Sequence, residues 1–149
     1  MEKSLDSSGI RNITVSGRIA SGSSTLAASL SDTLGWKMLN GGELFRRFTK
    51  EQGFNLIDTQ KRPDQFDLDY EDRIKKLLRE TEHNVVESHL SGFDAQGIEG
   101  VFKILVICDD VEEGDKTDIR IDRLVNRDQA TVQDAKHEIL ERERRNLEK

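Results

Sequence analysis

An α/β fold, with a short parallel sheet flanked by helices, is predicted by three observations in the amino-acid sequence. Short apolar runs at Ile13–Ser16, Lys37–Leu39, Val85–Val86 and Val101–Ile107 read as strands. Longer segments with apolar residues three and four apart lie between them, which is the period of a helix with one buried face. Glycines punctuate the junctions. Strands separated by helices pair in parallel through right-handed crossovers, and ligands of such sheets sit at the carboxyl ends of the strands.

The elements follow in order. Residues 1–11 form a polar tail, and Ile13-Thr14-Val15-Ser16 is a short buried strand ended by Gly17. From Ser24 the chain turns helical: Leu26, Leu30 and Leu34 recur on one face with Ala27, and Gly35 stops the helix where a left-handed residue is wanted. After the strand Lys37-Met38-Leu39 comes a turn at Asn40-Gly41-Gly42, then a helix over 43–51 with Leu44, Phe45 and Phe48 facing inward and Gly53 closing it. The stretch 55–66 holds the sole proline, Pro63, and reads as a connection to a helix over about 67–80 with Leu68, Ile74, Leu77 and Leu78 as its apolar stripe. Val85-Val86 is a strand core, 91–100 a loop, and Val101–Ile107 the strongest strand. Two charged helices close the chain, over 115–127 with Ile119, Leu124 and Val125, and over 131–148 with Val132, Ala135 and Ile139.

The chain of 149 residues suits one domain over 12–149, large enough to bury a core without a disulfide or metal staple. A net charge of -6 argues against a broad nucleic-acid or anionic-membrane surface, since phosphate-backbone binding needs surplus Lys and Arg. The lone Cys108 forms no internal disulfide, and three dispersed histidines make no zinc site; both point to a reducing cytoplasm. No apolar run is long enough to span a bilayer, and the polar start lacks the apolar core of a secretory signal. Cys108 reads as an inert thiol and Trp36 as a packing residue.

Gly17-Arg18-Ile19-Ala20-Ser21-Gly22-Ser23-Ser24-Thr25 has the glycine spacing of a Walker A phosphate loop and lies between a strand and a helix, as that motif requires. Its glycines let successive backbone N–H groups turn inward as an anion nest at a helix N-terminus. Ser24 is the magnesium-holding hydroxyl of such a loop. The lysine that bridges β- and γ-phosphates is replaced by Ser23, a neutral hydroxyl. A generic strand-to-helix turn is the competing reading, and under the phosphate reading Arg18 or an arginine of the C-terminal helices supplies the absent charge.

Five further blocks carry polar chemistry. Leu39-Asn40-Gly41-Gly42-Glu43-Leu44-Phe45-Arg46 ends in a bidentate phosphate donor beside an apolar face. Asp69-Tyr70-Glu71-Asp72-Arg73 lies on the next helix, and Val85-Val86-Glu87-Ser88-His89-Leu90-Ser91-Gly92-Phe93 ends a strand with an acid. Arg120-Ile121-Asp122-Arg123-Leu124-Val125-Asn126-Arg127-Asp128 and Glu141-Arg142-Glu143-Arg144-Arg145 are arginine-rich, with Arg123 and Arg127 four apart on one helix face. Each block taken alone also reads as an ordinary solvated helix face or strand end.

In this order and at these separations, the blocks resemble the cytidylate kinases, particularly the short archaeal-type branch of the nucleoside monophosphate kinases, over nearly the whole chain. The resemblance implies a three-layer P-loop kinase fold of strand order 2-3-1-4, with an acceptor region over about 40–82 and a lid over about 120–145. It implies that Gly17, Arg18, Ile19, Ala20, Ser21, Gly22, Ser23, Ser24 and Thr25 bind ATP. Gly42, Arg46, Asp72, Arg73 and His89 would hold the acceptor, and Ser24 and Glu87 the Mg2+. Arg123, Arg127, Arg142 and Arg145 would bridge the two nucleotides as catalytic cations, because the charge of a phosphoryl-transfer transition state is stabilised by positioned guanidinium groups and metal.

The sequence departs from the family at Ser23, and at Ser88-His89 where the family has a glycine-arginine pair. The family also continues past the lid helix into another strand and helix, so a fifth strand is expected to be missing and Phe102–Ile107 to form an exposed edge, which predicts a homo-oligomer. The expected activity is Mg2+-dependent transfer from ATP to CMP or dCMP, without nucleic-acid or membrane partners. Two alternatives stay open: a nucleotide-binding module that has lost efficient turnover, and a kinase for another nucleoside monophosphate or small acceptor.

Overall fold

Asn12–Gly17 (β1) is buried at every position because it runs between two other strands. Lys37–Asn40 (β2), Asn84–Glu87 (β3) and Val101–Val106 (β4) complete a four-stranded sheet of order β2-β3-β1-β4, the order expected from the sequence. In the computed structural model of the chain, residues 8–53, 64–110, 114–128 and 131–148 are described, without the side chains of 64, 109–110, 114–115, 127–128 and 145–148. β1 and β2 both pair in parallel with β3, in registers that set Val15 and Asn40 level with Glu87. The carboxyl ends of three strands therefore meet at one place.

The helices are Ser23–Leu34 (α1), Gly41–Glu51 (α2), Asp64–Glu80 (α3), Ser91–Asp94 (α4), Thr117–Asp128 (α5) and Val132–Glu148 (α6). Asp109–Asp110 (β5) and Gly114–Asp115 (β6) pair antiparallel in a small ribbon of their own. Among the described residues no helix is long and apolar enough to cross a membrane.

The chain folds as two compact units. The first joins the residues up to Gly17 with Ser23–Leu105, and the second joins Arg18–Gly22 with Val106–Lys149. In the first, Ile74 and Leu78 of α3 pack on Val86 and Ala95, with Leu39, Leu44, Tyr70 and Leu77 around them. In the second, Ile121 and Leu124 of α5 close on Ala135 and Ile139 of α6, and Ile19 and Ala20 pack against that cluster.

Several boundaries differ from the sequence reading for local reasons. Asn40 is the N-cap of α2, its Oδ1 accepting from Glu43 N at 3.1 Å, so the expected turn at Asn40-Gly41-Gly42 is the start of the helix itself. Thr117, not Asp115, opens α5, because Gly114 and Asp115 are taken up by β6. The loop expected over 91–100 begins with the short α4. Leu68, Ile119 and Val132, assigned to buried stripes by spacing, are 52%, 43% and 60% exposed; each sits near a helix end, where the periodic face outruns the core beneath it. Trp36 packs as expected, stacked on His83 with ring centroids 5.1 Å apart. The outermost strand carries exposed apolar side chains, as expected: Phe102 and Leu105 of β4 are more than half exposed.

The larger unit is pegged at the amino end of β1 by Asn12, which is fully buried. Its Nδ2 donates to the carbonyls of Leu78 and Thr81 at 3.1 and 2.8 Å, and its Oδ1 accepts from the backbone and side chain of Asn84, both at 3.1 Å. Each buried group left without a partner costs about 1–3 kcal/mol, so Asn12→Ala is expected to lose about 3 kcal/mol of stability in urea unfolding. A loss below about 1 kcal/mol would show that neighbouring groups take over these bonds.

Candidate functional site

The carboxyl ends of β1, β2 and β3 bring together one group of candidate residues, all within the larger unit. Ser23 opens α1 and is buried, and its Oγ donates to Glu87 Oε1 at 3.0 Å. The other carboxylate oxygen of Glu87 accepts from Asn40 Nδ2 at 2.9 Å. A chain of hydrogen bonds thus runs from the first residue of α1, across the end of β3, to the cap of α2. Both donors to this buried carboxylate among the described residues are neutral, the Ser23 hydroxyl and the Asn40 amide. Ser24 and Thr25 stand exposed on the first turn of α1.

On the α2 side, backbone approach is close. A Cβ on Gly41 would overlap Ser88 Cβ and stand 3.0 Å from the Glu87 carbonyl, so only glycine starts the helix here. At Gly42 the added atom would meet Asn40 Oδ1 at 3.1 Å and Arg46 Nη1 at 3.6 Å, which places the exposed Arg46 over the first turn. Tyr70 Oη donates to the Gly41 carbonyl at 2.7 Å, tying α3 to the start of α2. Phe45, Phe48, Phe66 and Tyr70 form edge and tilted ring contacts that fix the two helices together. Arg73 pairs with Glu51 at 2.7 Å and lies over the Phe48 ring, so it braces the outer side of the α2–α3 pair. Asp72 is exposed on α3, and His89 is exposed just beyond β3.

The short α4 links these parts to β1. Gly92 N donates to Ser16 Oγ at 2.8 Å, and Ser91 Oγ reaches the Val15 carbonyl at 3.2 Å. Asp94, on the same turn, is 4% exposed, and its Oδ1 has no hydrogen-bond partner among the described residues. Burial pushes its carboxyl up to about 6, Glu71 adds to the rise, and Lys75 opposes it. Tyr70 is pushed up to about 12 by burial and by Asp94, and so keeps its proton to donate to Gly41.

The middle of the phosphate-loop motif belongs to the second unit. Ala20 has φ 59°, a left-handed conformation that costs a side-chain-bearing residue on the order of 1–2 kcal/mol, and Gly22 has φ 101°. Two arginines of α5 hold the loop's carbonyls. Arg120 Nε donates to Ile19 O at 2.9 Å, and Arg123 Nη1 donates to Ala20 O at 3.0 Å. Arg123 Nη1 also lies 3.5 Å from where a Cβ on Gly22 would stand, so a guanidinium lies against the glycine of the nest. Ser21 Oγ is buried with no hydrogen-bond partner among the described residues. Arg18 Nη1 is 3.9 Å from Glu143 Oε1, which also accepts from Arg120 Nη2 at 2.6 Å.

Of the expected catalytic arginines, Arg123 is brought to the loop, while Arg142 pairs with Glu138 one turn back on its own helix at 2.6 Å. The side chains of Arg127 and Arg145 lie outside the described residues. Sequence reasoning did not single out Arg120, Asn40, Gly41, Tyr70 or Asp94. For Asn40 a signal existed, an Asn three residues before a Glu at a helix start; for Arg120 none did, because charge pattern alone does not separate a buried guanidinium from a solvated one.

No protein-family model matches the chain. It is similar to the cytidylate kinase of Haloarcula marismortui, at 34% identity over 133 residues that cover 87% of this chain and 65% of that protein. The cytidylate kinase of Methanoregula boonei is likewise 34% identical, over 136 residues covering 88% of this chain and 69% of that one. The chain thus spans about two thirds or less of the length of the first of these relatives. Among solved structures, shikimate kinase from Acinetobacter baumannii superposes with TM-score 0.58 over 95% of this chain and 79% of its own, at 12% identity, a likeness of fold. With the phosphate-loop motif between β1 and α1 and the four-stranded sheet behind it, the chain belongs to the cytidylate kinase family.

Proposed function

We propose that the protein transfers the γ-phosphoryl group of ATP to CMP or dCMP, with Mg2+, using Arg123 as the cation of its lysine-free phosphate loop. The observation that carries this reading is the Arg123 guanidinium, bonded to the Ala20 carbonyl and lying against Gly22. A delocalised, always-charged group there can donate to a phosphate chain as the replaced lysine would. Similarity to named cytidylate kinases supports the choice of acceptor.

Arg46, above the first turn of α2, is the proposed anchor for the acceptor phosphate, with Gly42 giving it backbone access. His89 would add a pH-dependent donor and Asp72 a polar wall, while Arg73 would act by bracing α2 on α3. Ser24 and Glu87 offer the oxygen ligands that a hard cation prefers, and the hydrogen bonds from Ser23 and Asn40 orient the carboxylate. Bound Mg2+ would neutralise charge developing on the phosphates. Arg18, Arg127, Arg142 and Arg145 would add positive charge around ATP in a closed state. An acceptor bound in a dry site would keep water from taking the phosphoryl group.

One observation favours a second reading. The Ser23 hydroxyl is engaged by Glu87, and that carboxylate carries no cation partner among the described residues, a combination suited to binding nucleotide with slow turnover. ADP release from Mg-ATP with CMP, dCMP, UMP and AMP separates the two. Turnover is expected with CMP and dCMP, and Arg123→Ala should reduce it by about 10²-fold. Mg-ADP binding without release on any acceptor would select the binding module. No binding and no release would end both readings.

A further inference from the structure

We infer that Arg120, held by Glu143, is a positioning residue that keeps the phosphate loop in its ligand-ready shape without a ligand. The side chain of Arg120 is fully buried, an arrangement that persists only when its donors are matched. One edge of the guanidinium takes the Ile19 carbonyl at 2.9 Å, and another takes Glu143 at 2.6 Å. Ile19 immediately precedes the left-handed Ala20, whose own carbonyl is taken by Arg123. Two successive carbonyls are thus turned toward α5; in a trans peptide the Ala20 N–H points opposite to the Ile19 carbonyl, as a nest requires, while Ser21 N closes the turn on the Arg18 carbonyl at 3.1 Å.

Glu143 is the second part of the device. It lies on α6 and accepts from Arg120 while Arg18, within the loop, stands 3.9 Å away. One carboxylate on α6 therefore links the arginine that pins the loop's backbone to the arginine carried by the loop itself. Packing of Ile19 and Ala20 on Ile121, Leu124, Ala135 and Ile139 adds an apolar floor under the same turn. A lysine-free loop has no ammonium to draw phosphate into place, so its backbone must be set beforehand, and the strut sets it. The nucleotide half of this inference rests on the phosphotransfer reading above; the loop half does not.

The test is amide hydrogen exchange over residues 18–22 in the ligand-free full chain, with calorimetric titration of Mg-ADP and of CMP alongside. Arg120→Met keeps the stem's volume and removes the donors. It is expected to speed exchange in the loop at least 10-fold while β1, β3 and α3 keep their protection. Mg-ADP affinity should fall at least 10-fold, with CMP affinity changed less than 2-fold. Glu143→Ala, at a partly exposed side chain, is the second variant should Arg120→Met fail to fold, and should give the same pattern in smaller measure. Arg120→Lys, which cannot span both acceptors, should fall between wild type and Arg120→Met. Unchanged loop exchange in Glu143→Ala and Arg120→Lys would overturn the strut. So would Mg-ADP and CMP affinities falling together. Faster loop exchange in a chain whose wild type binds no Mg-ADP would support the strut while overturning the phosphotransfer reading.

Discussion

Replacing Ser23 by lysine is expected to raise the rate of phosphoryl transfer to CMP by about 10²-fold or more, the factor typical of one preorganised donor at a developing charge. Ser23 begins α1 with its side chain directed at Glu87, so an ammonium introduced there would have an ion-pair partner waiting and would be held instead of wandering. Asn40 would still hold the second carboxylate oxygen, leaving the cap of α2 in place. If Arg123 stands in for the replaced lysine, then Arg123→Ala should cost much less in the Ser23→Lys background than in the native chain, because two cations serving one phosphate chain are partly redundant. Steady-state kcat and KM for ATP in the native chain, both single variants and the double variant give that coupling energy. Strictly additive losses would show that Arg123 does not replace the lysine. An unchanged rate in Ser23→Lys would mean that the charge of the loop is not what limits transfer.

The frame of this site was legible before the fold was seen, since it depends on features with a period or a fixed spacing. The α/β class follows from short β-branched runs alternating with amphipathic helices, the strand order is what the family resemblance implies, and Gly17 and Gly22 bracket the loop at the separation an anion nest needs. Side-chain roles were less legible, because they depend on contacts between residues far apart in the chain. Arg120 and Arg123 look alike in sequence, three apart on a charged helix, yet one is fully buried beneath the loop and the other is exposed at its surface. Arg73 stands in the acceptor block of the sequence, and in the fold it pairs with Glu51 and lies over the Phe48 ring. Gly41 and Gly42 are adjacent and chemically identical; only the proximity of Ser88 shows which of them tolerates no side chain. Where the sequence departs from its family, at Ser23, the proposed replacement cation is Arg123, about a hundred residues away in the chain, and no local signal announces its bond to the Ala20 carbonyl.

Asp94 gives the second large effect, on stability. Its carboxyl titrates at about 6 in the folded chain against an ordinary value of 3.8, because burial and Glu71 disfavour its charged form more than Lys75 favours it. Between those two values the folded state binds more protons than the unfolded one, so stability falls as pH rises through the window. The penalty is absent below about 3.8 and fully present above about 6, where it is on the order of 3 kcal/mol. Asp94→Asn carries no charge at any pH and is expected to recover most of that amount at pH 7.5. The difference between variant and wild type should shrink toward a constant below pH 4, whatever fixed offset the new amide introduces. Urea unfolding of both proteins from pH 3.5 to 8 measures it, and a difference that stays flat across the range would show that Asp94 is ionised in the fold at no cost. A positive result bears on the site as well. Asp94 shares its helical turn with Gly92, bonded to Ser16 at the end of β1, and it lies within electrostatic reach of Tyr70, which holds Gly41 at the start of α2. An uncompensated charge at neutral pH therefore sits between the strand that leads into the phosphate loop and the helix proposed to carry the acceptor, and relieving it should stiffen both.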